Sequence, residues 1–145
     1  MLRYVRNVFR WLTSLLFAAI VVQVGLAGYG AFNAVHKAEK AEATKKVVES
    51  GFNAHIALGY IIVLVMLLML IVAAVGKLGS ASVKFSGALV ILGILQAVLG
   101  MISESTPAIG PLHTINALAI YAVSALLAHK AWTQHRSSQP VATPA

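Results

Sequence analysis

Five polar side chains interrupt otherwise apolar stretches of this chain, and their types suit a ligand site. They are Gln23, His55, Gln96, His113 and Asn116. A polar side chain surrounded by lipid needs a partner, so each of the five marks either a contact between helices or a site. An imidazole can bind a metal ion through one nitrogen while the other donates a hydrogen bond. The two histidines are therefore candidate metal ligands.

Four apolar stretches must position these residues. Each is about 20 residues long, the length at which a helix crosses the hydrocarbon layer. They run from about 11 to 35, 52 to 75, 85 to 103 and 112 to 132. The chain is 59% hydrophobic and only 10% charged, which is typical of an integral membrane protein. Because the links are short, we expect an all-α, up-down-up-down four-helix bundle over residues 1–136, followed by a disordered tail over 137–145.

The positions of the basic residues predict how the bundle lies in the bilayer. With the N-terminus in the cytoplasm, the inner segments carry seven Lys and Arg residues and the outer segments carry four. Both termini are therefore predicted to be cytoplasmic, in a multi-pass protein of the bacterial cytoplasmic (inner) membrane. The first apolar run is longer than the ~7–15 residues of a signal peptide, which favours a retained helix over cleavage near Gly28 or Ala31. The basic ends form a thin rim at the lipid bilayer and do not indicate nucleic-acid binding.

The depths of the two histidines predict that they meet. His55 is the fourth residue of its stretch and His113 about the second, and both stretches begin on the same side of the membrane. With a rise of ~1.5 Å per residue, the rings lie within about one turn of the same depth. Helices 2 and 4 face each other across the diagonal of a four-helix ring. The two helical hairpins also share a pattern, since each has a glutamine in its first helix and a histidine near the start of its second.

A site with such near two-fold symmetry suits a flat ligand that takes one axial bond on each face. We therefore predict a b-type haem (heme b), with His55 and His113 as the metal ligands. Gln23 and Gln96 either border the ring or bridge helices, and Asn116 either orients His113 or bonds across helices. Gly59, one turn after His55, leaves room for a flat ring. Two alternatives stay open: a chlorophyll-type tetrapyrrole on each histidine, or histidines that only form hydrogen bonds and bind no cofactor.

Other chemistry finds little support in the sequence. The chain has no cysteine, which excludes thiol–disulfide chemistry, iron–sulfur clusters and covalent haem attachment. Neither a nucleophile with a base nor a phosphate-binding loop is present, so no catalytic residue is predicted. Bis-histidine ligation indicates electron transfer, with a larger membrane redox complex, a second copy of the chain or a quinone as partner. The alternative is a structural or pigment-binding accessory subunit of a respiratory or photosynthetic complex.

Two resemblances support this interpretation. The segments ILGILQAVLGMIS and GPLHTINALAIYAVSALLAHKAW resemble the third and fourth helices of one half of a haem A synthase. The halves of that family are four-helix haem-binding units, and the resemblance implies that His55 and His113 are ligands. This chain has one half and no acidic residue between Gly51 and Ala54, so the resemblance does not extend to synthase activity. The segments VVQVGLAGYGAF, FNAHIALGYII, LQAVLG and LHTINALAIYAV, one in each helix, resemble a family of small, uncharacterised four-helix bacterial membrane proteins.

Overall fold

The polypeptide forms four long helices. The computed structural model describes the backbone of residues 2–137 and the side chains of residues 2–134. The helices are α1 (Leu2–Glu39), α2 (Lys45–Val75), α3 (Ser80–Ser105) and α4 (Gly110–Ser137), with a short 3₁₀ turn over Pro107–Ile109 before α4. All four are long and apolar enough to cross a membrane. The prediction of an all-α chain with four such helices is confirmed.

The helices extend beyond the predicted apolar stretches, because local residues at the turns determine where they end. Thr44 caps the start of α2 by accepting a hydrogen bond from the amide of Val47 at 3.3 Å. Between α2 and α3 the chain passes through Gly79, whose φ of 94° strongly favours a residue without a Cβ atom. Apart from Ser137, which ends α4, the predicted disordered tail lies outside the described residues.

The helices form a ring in which each contacts two neighbours. α1 and α3 each pack against both α2 and α4, so α2 and α4 face each other across a diagonal, as the sequence predicts. Contacts at both ends of the α1–α2 pair give its direction. Gly30, late in α1, lies against the ring of Phe52, early in α2, whereas Val5 lies against Gly76, just after α2. The two helices therefore run in opposite directions.

Apolar packing is concentrated in one half of the ring, here called the packed half, which ends at the α2–α3 turn. Its buried hydrophobic residues are Phe9, Leu16, Ile20, Ile62, Met66, Met69, Ala73, Leu89, Ile120 and Leu127. The other half, here called the open half, runs from Gln23 and Gln96 to the α1–α2 turn. Beyond Gln23 and Gln96, its buried described residues are the glycines Gly30 and Gly51. No large apolar side chain described in the open half is therefore fully buried, and the half-buried ring of Phe52 packs against Gly30.

Candidate functional site

At the start of the open half, Gln23 of α1 and His55 of α2 bind each other's main chain. The Gln23 Nε2 atom donates to the carbonyl oxygen of His55 at 2.8 Å. In return, the His55 ring lies with Nδ1 at 3.1 Å from the carbonyl oxygen of Gln23. A carbonyl oxygen only accepts hydrogen bonds, so Nδ1 carries the proton and Nε2 keeps its lone pair in the neutral ring. This is the tautomer that a metal bond through Nε2 requires.

His113 of α4 forms the same contact with Gln96 of α3. Its Nδ1 atom donates to the carbonyl oxygen of Gln96, again at 3.1 Å. The side chain of Gln96 continues to the other ring nitrogen, and its Nε2 atom donates to His113 Nε2 at 2.9 Å. Every donor in this arrangement meets an acceptor, which supports the tautomer assigned to His113.

Asn116 completes a relay that ends at the His113 ring. Its side-chain Nδ2 atom donates to Gln96 Oε1 at 2.7 Å and to the carbonyl oxygen of Leu92 at 2.9 Å. The side chain is buried, with 7% of its surface exposed. Asn116 therefore fixes the orientation of the Gln96 amide, and that amide in turn contacts His113. The matching atom of the other pair, Gln23 Oε1, is buried without a hydrogen-bond partner.

The two imidazole rings lie close together across the diagonal of the ring. Their centroids are 6.4 Å apart and their planes are inclined by 57°. With metal–nitrogen bonds of ~2 Å and a ring radius of ~1 Å, two imidazoles on opposite sides of one metal ion have centroids about 6 Å apart. The observed centroid separation is close to that value, whereas the Nε2 atom of His113 is directed at Gln96 Nε2 at 2.9 Å. In the part of the chain that the structure describes, no group of three or more His, Cys, Asp or Glu residues could hold a metal ion.

Small residues make room for these polar groups. A Cβ atom on Gly100 would lie 3.3 Å from His113 Cε1, and one on Gly59 would lie 3.2 Å from Gln23 Nε2. Gly59 was expected to make room for a flat ring, and in the structure it accommodates the Gln23 amide. Two neighbours of the rings were not predicted as site residues: Gly100, and Phe52, whose ring meets that of His55 edge to face at 6.4 Å. The signal for Gly100 was its position, one turn after Gln96.

The structure brings all six residues predicted to line the site into one connected cluster. Contacts run from Gly59 through Gln23 to His55, across to His113, and on to Gln96 and Asn116. Gly25, Gly28 and Gly93 do not reach it. Gly93 faces Met66 in the packed half, and nothing lies within 4 Å of the Cβ position of Gly25 or Gly28.

Comparison of the chain with protein-family models, with curated proteins and with solved structures yields no match. The resemblances to half of a haem A synthase and to the small four-helix membrane proteins therefore stay predictions. The function has to be argued from the geometry of the site.

Proposed function

We propose that this protein is a membrane-bound b-type haem protein that transfers electrons, with His55 and His113 as the two axial ligands. The single observation that carries the proposal is the pair of rings at 6.4 Å. The proposal includes the orientation derived from the basic residues: both termini are cytoplasmic, the membrane is the bacterial cytoplasmic membrane, and the site lies near its outer face.

The hydrogen bonds of the two rings support ligation. A histidine that binds a metal usually donates its other ring N–H to a carbonyl or a carboxylate, which fixes the tautomer and the ring orientation. Both histidines make that contact, with the carbonyls of Gln23 and Gln96. The same contact is found in both helical hairpins, as a ligand with two equivalent faces requires.

The surroundings of the rings also fit a macrocycle. No large apolar side chain described in the open half is fully buried, so a flat group that separates its helices displaces mainly the half-buried ring of Phe52. All acidic residues of the chain lie near helix ends or turns of the open half: Glu39, Glu42, Glu49 and Glu104. Haem held by two histidines supplies one-electron chemistry and has no open coordination position, which favours electron transfer over substrate chemistry.

The ring separation favours one shared tetrapyrrole over one pigment on each histidine. Two metal ions between the rings would each need a bond of ~2 Å to its own imidazole. These two bonds and the two ring radii already take up almost all of the 6.4 Å between the centroids. No space is left for two macrocycles stacked between the rings. Partners that suit a single haem here are a larger membrane redox complex, a second copy of the chain, or a quinone.

The second candidate is a structural accessory subunit, and one observation favours it. Gln96 already occupies the Nε2 atom of His113, so this ring has hydrogen-bond partners on both nitrogens without a metal. In this case the site is a polar connection that joins α1 to α2 and α3 to α4, and each hydrogen bond contributes about 0.6 kcal/mol.

An absorption spectrum distinguishes the two functions. The protein is expressed with haem available, purified, and recorded before and after reduction with dithionite. We expect a Soret band and sharp α and β bands on reduction, and their loss in His55→Ala and in His113→Ala. The matched control is His36→Ala, an exposed histidine near the end of α1, which should keep the spectrum. A colourless wild-type protein favours the structural subunit, far-red bands favour a chlorophyll-type pigment, and haem retained in both variants refutes the axial assignment.

A further inference from the structure

A second polar cluster lies at the far end of the packed half. The guanidinium carbon of Arg10 is 4.3 Å from the ring centroid of Trp132 and 5.7 Å from that of Trp11. The two indoles meet edge to face at 5.6 Å. Trp132 is fixed further by its Nε1 atom, which donates to Ser14 Oγ at 2.8 Å. Arg10 is therefore held in place by cation–π contacts with aromatic rings.

Two buried atoms in this cluster have no partner in the described chain. One is Arg10 Nε, a donor, and the other is Asn7 Oδ1, an acceptor. Asn7 precedes Arg10 by three residues, so both lie on one side of α1. A buried polar atom without a partner is costly, more so next to a charge. Both atoms are enclosed by the protein, so a ligand outside the fold can pair with the charge of Arg10 and not with these two atoms.

The chain itself offers no carboxylate side chain to Arg10. All four acidic residues belong to the open half or its turns, at the opposite end of the bundle. The end that contains Arg10 carries instead further basic residues, namely Arg3, Arg6, Lys77, Lys84 and Lys130. The described residues of this end therefore supply no carboxylate, which favours a counter-ion from outside the protein.

A shallow and largely open apolar groove on the surface of α1 begins beside the same cluster. It has a volume of about 550 Å³ and is lined by Tyr4, Asn7, Val8, Trp11, Leu12 and Leu15 of α1. From residue 4 to residue 15 a helix rises ~16 Å. One leaflet of the hydrocarbon layer is about 15 Å deep, half of the full thickness. The groove thus has the length of a lipid acyl chain, and Asn7 and Trp11 connect it with Arg10.

The geometry points to a binding site for one anionic phospholipid. The phosphate pairs with the guanidinium charge of Arg10, and an acyl chain follows the groove past Trp11. This site lies at the opposite end of the bundle from His55 and His113 and does not depend on the haem proposal.

The only two tryptophans of the chain are both in this cluster, so tryptophan fluorescence reports on the site alone. The purified full-length protein is reconstituted in phosphatidylcholine vesicles that contain a small fraction of brominated phosphatidylglycerol or of brominated phosphatidylcholine. We expect phosphatidylglycerol to quench with roughly fivefold higher apparent affinity, the preference expected from one basic residue at a membrane surface. The preference is the ratio of the apparent affinities for the two brominated lipids. Constant quenching from another group in the protein affects both measurements equally and cancels in this ratio.

Variants distinguish a specific lipid-binding site from a general electrostatic attraction of anionic lipids to the basic residues at this end. Arg10→Gln should remove the preference, whereas Arg3→Gln, which removes an equal charge from the same end, should keep most of it. Val8→Phe, which fills the groove, should also reduce it. Equal losses in Arg10→Gln and Arg3→Gln would overturn the proposal in favour of surface electrostatics. Full competition by inorganic phosphate, or an unchanged preference in Val8→Phe, would show an anion site without a bound acyl chain and would also overturn it.

Discussion

Gln96 uses the lone pair of His113 that an axial metal bond would need. Its Nε2 atom donates to His113 Nε2 at 2.9 Å, while the ring is held independently through the main-chain carbonyl of Gln96. Replacing Gln96 by Leu removes the competing side-chain bond and leaves the carbonyl in place. We therefore expect Gln96→Leu to bind haem more tightly than the wild type does, although it removes a polar side chain from the site.

The size of this effect follows from the hydrogen bond that haem no longer has to displace. Hydrogen bonds between membrane helices are worth about 0.6 kcal/mol on average and at most about 1.7 kcal/mol. Since 1.4 kcal/mol corresponds to a factor of ten, the haem affinity should rise roughly 3- to 20-fold. Without haem the variant should be less stable, because Asn116 loses its acceptor Gln96 Oε1 and keeps only the carbonyl of Leu92.

Haem titration of the apoprotein in detergent, followed at the Soret band, measures the affinity. The matched control is Gln23→Leu, whose side chain donates to the main chain of His55 and not to its ring. That variant should show no gain in affinity. If Gln96→Leu binds haem as weakly as Gln23→Leu or more weakly, the hydrogen bond of Gln96 supports ligation instead of opposing it, and the argument from the lone pair is wrong.

Two further predictions concern the packing around His113 and the orientation of the bundle. Gly100→Val should lower the free energy of unfolding by about 1–3 kcal/mol, because the new side chain meets the His113 ring. The control Gly28→Val has open space at its Cβ position and should not lower it. Unfolding in a denaturing detergent measures both variants, and equal losses of stability would contradict the contact. The native chain has no cysteine, so Ala43→Cys and Ser80→Cys each provide one exposed label position. A maleimide that does not cross membranes should label position 43 in intact bacterial cells and position 80 only after permeabilisation, and the reverse pattern would invert the proposed orientation.

The general architecture could be predicted from the sequence because the bilayer allows few solutions. Apolar runs of membrane length predict helices, and short links predict which helices are neighbours. Residue counts from the start of each run then place His55 and His113 at similar depth, and the 6.4 Å between their rings agrees with that prediction.

The details of the site could not be predicted, because they depend on how each helix is rotated about its axis. Rotation by a fraction of a turn decides whether Gln96 contacts the His113 ring or only borders a ligand. It also decides that a Cβ atom on Gly100 would meet that ring, whereas no described atom lies within 4 Å of the Cβ position of Gly28. The relay through Asn116 has the same origin, since its two acceptors belong to α3 and become neighbours only when α3 and α4 are packed.

The uneven packing of the bundle assigns stability and ligand binding largely to different residues, whereas many proteins use the same residues for both. The side chains that hold the helices together, such as Met66 and Leu89, lie in one half, and the histidines lie beside the other. Substitutions around the rings can therefore alter what the protein binds while the apolar contacts of the packed half stay in place. Their cost in stability is confined to the polar contacts and close approaches around the rings, such as that of Gly100 to His113.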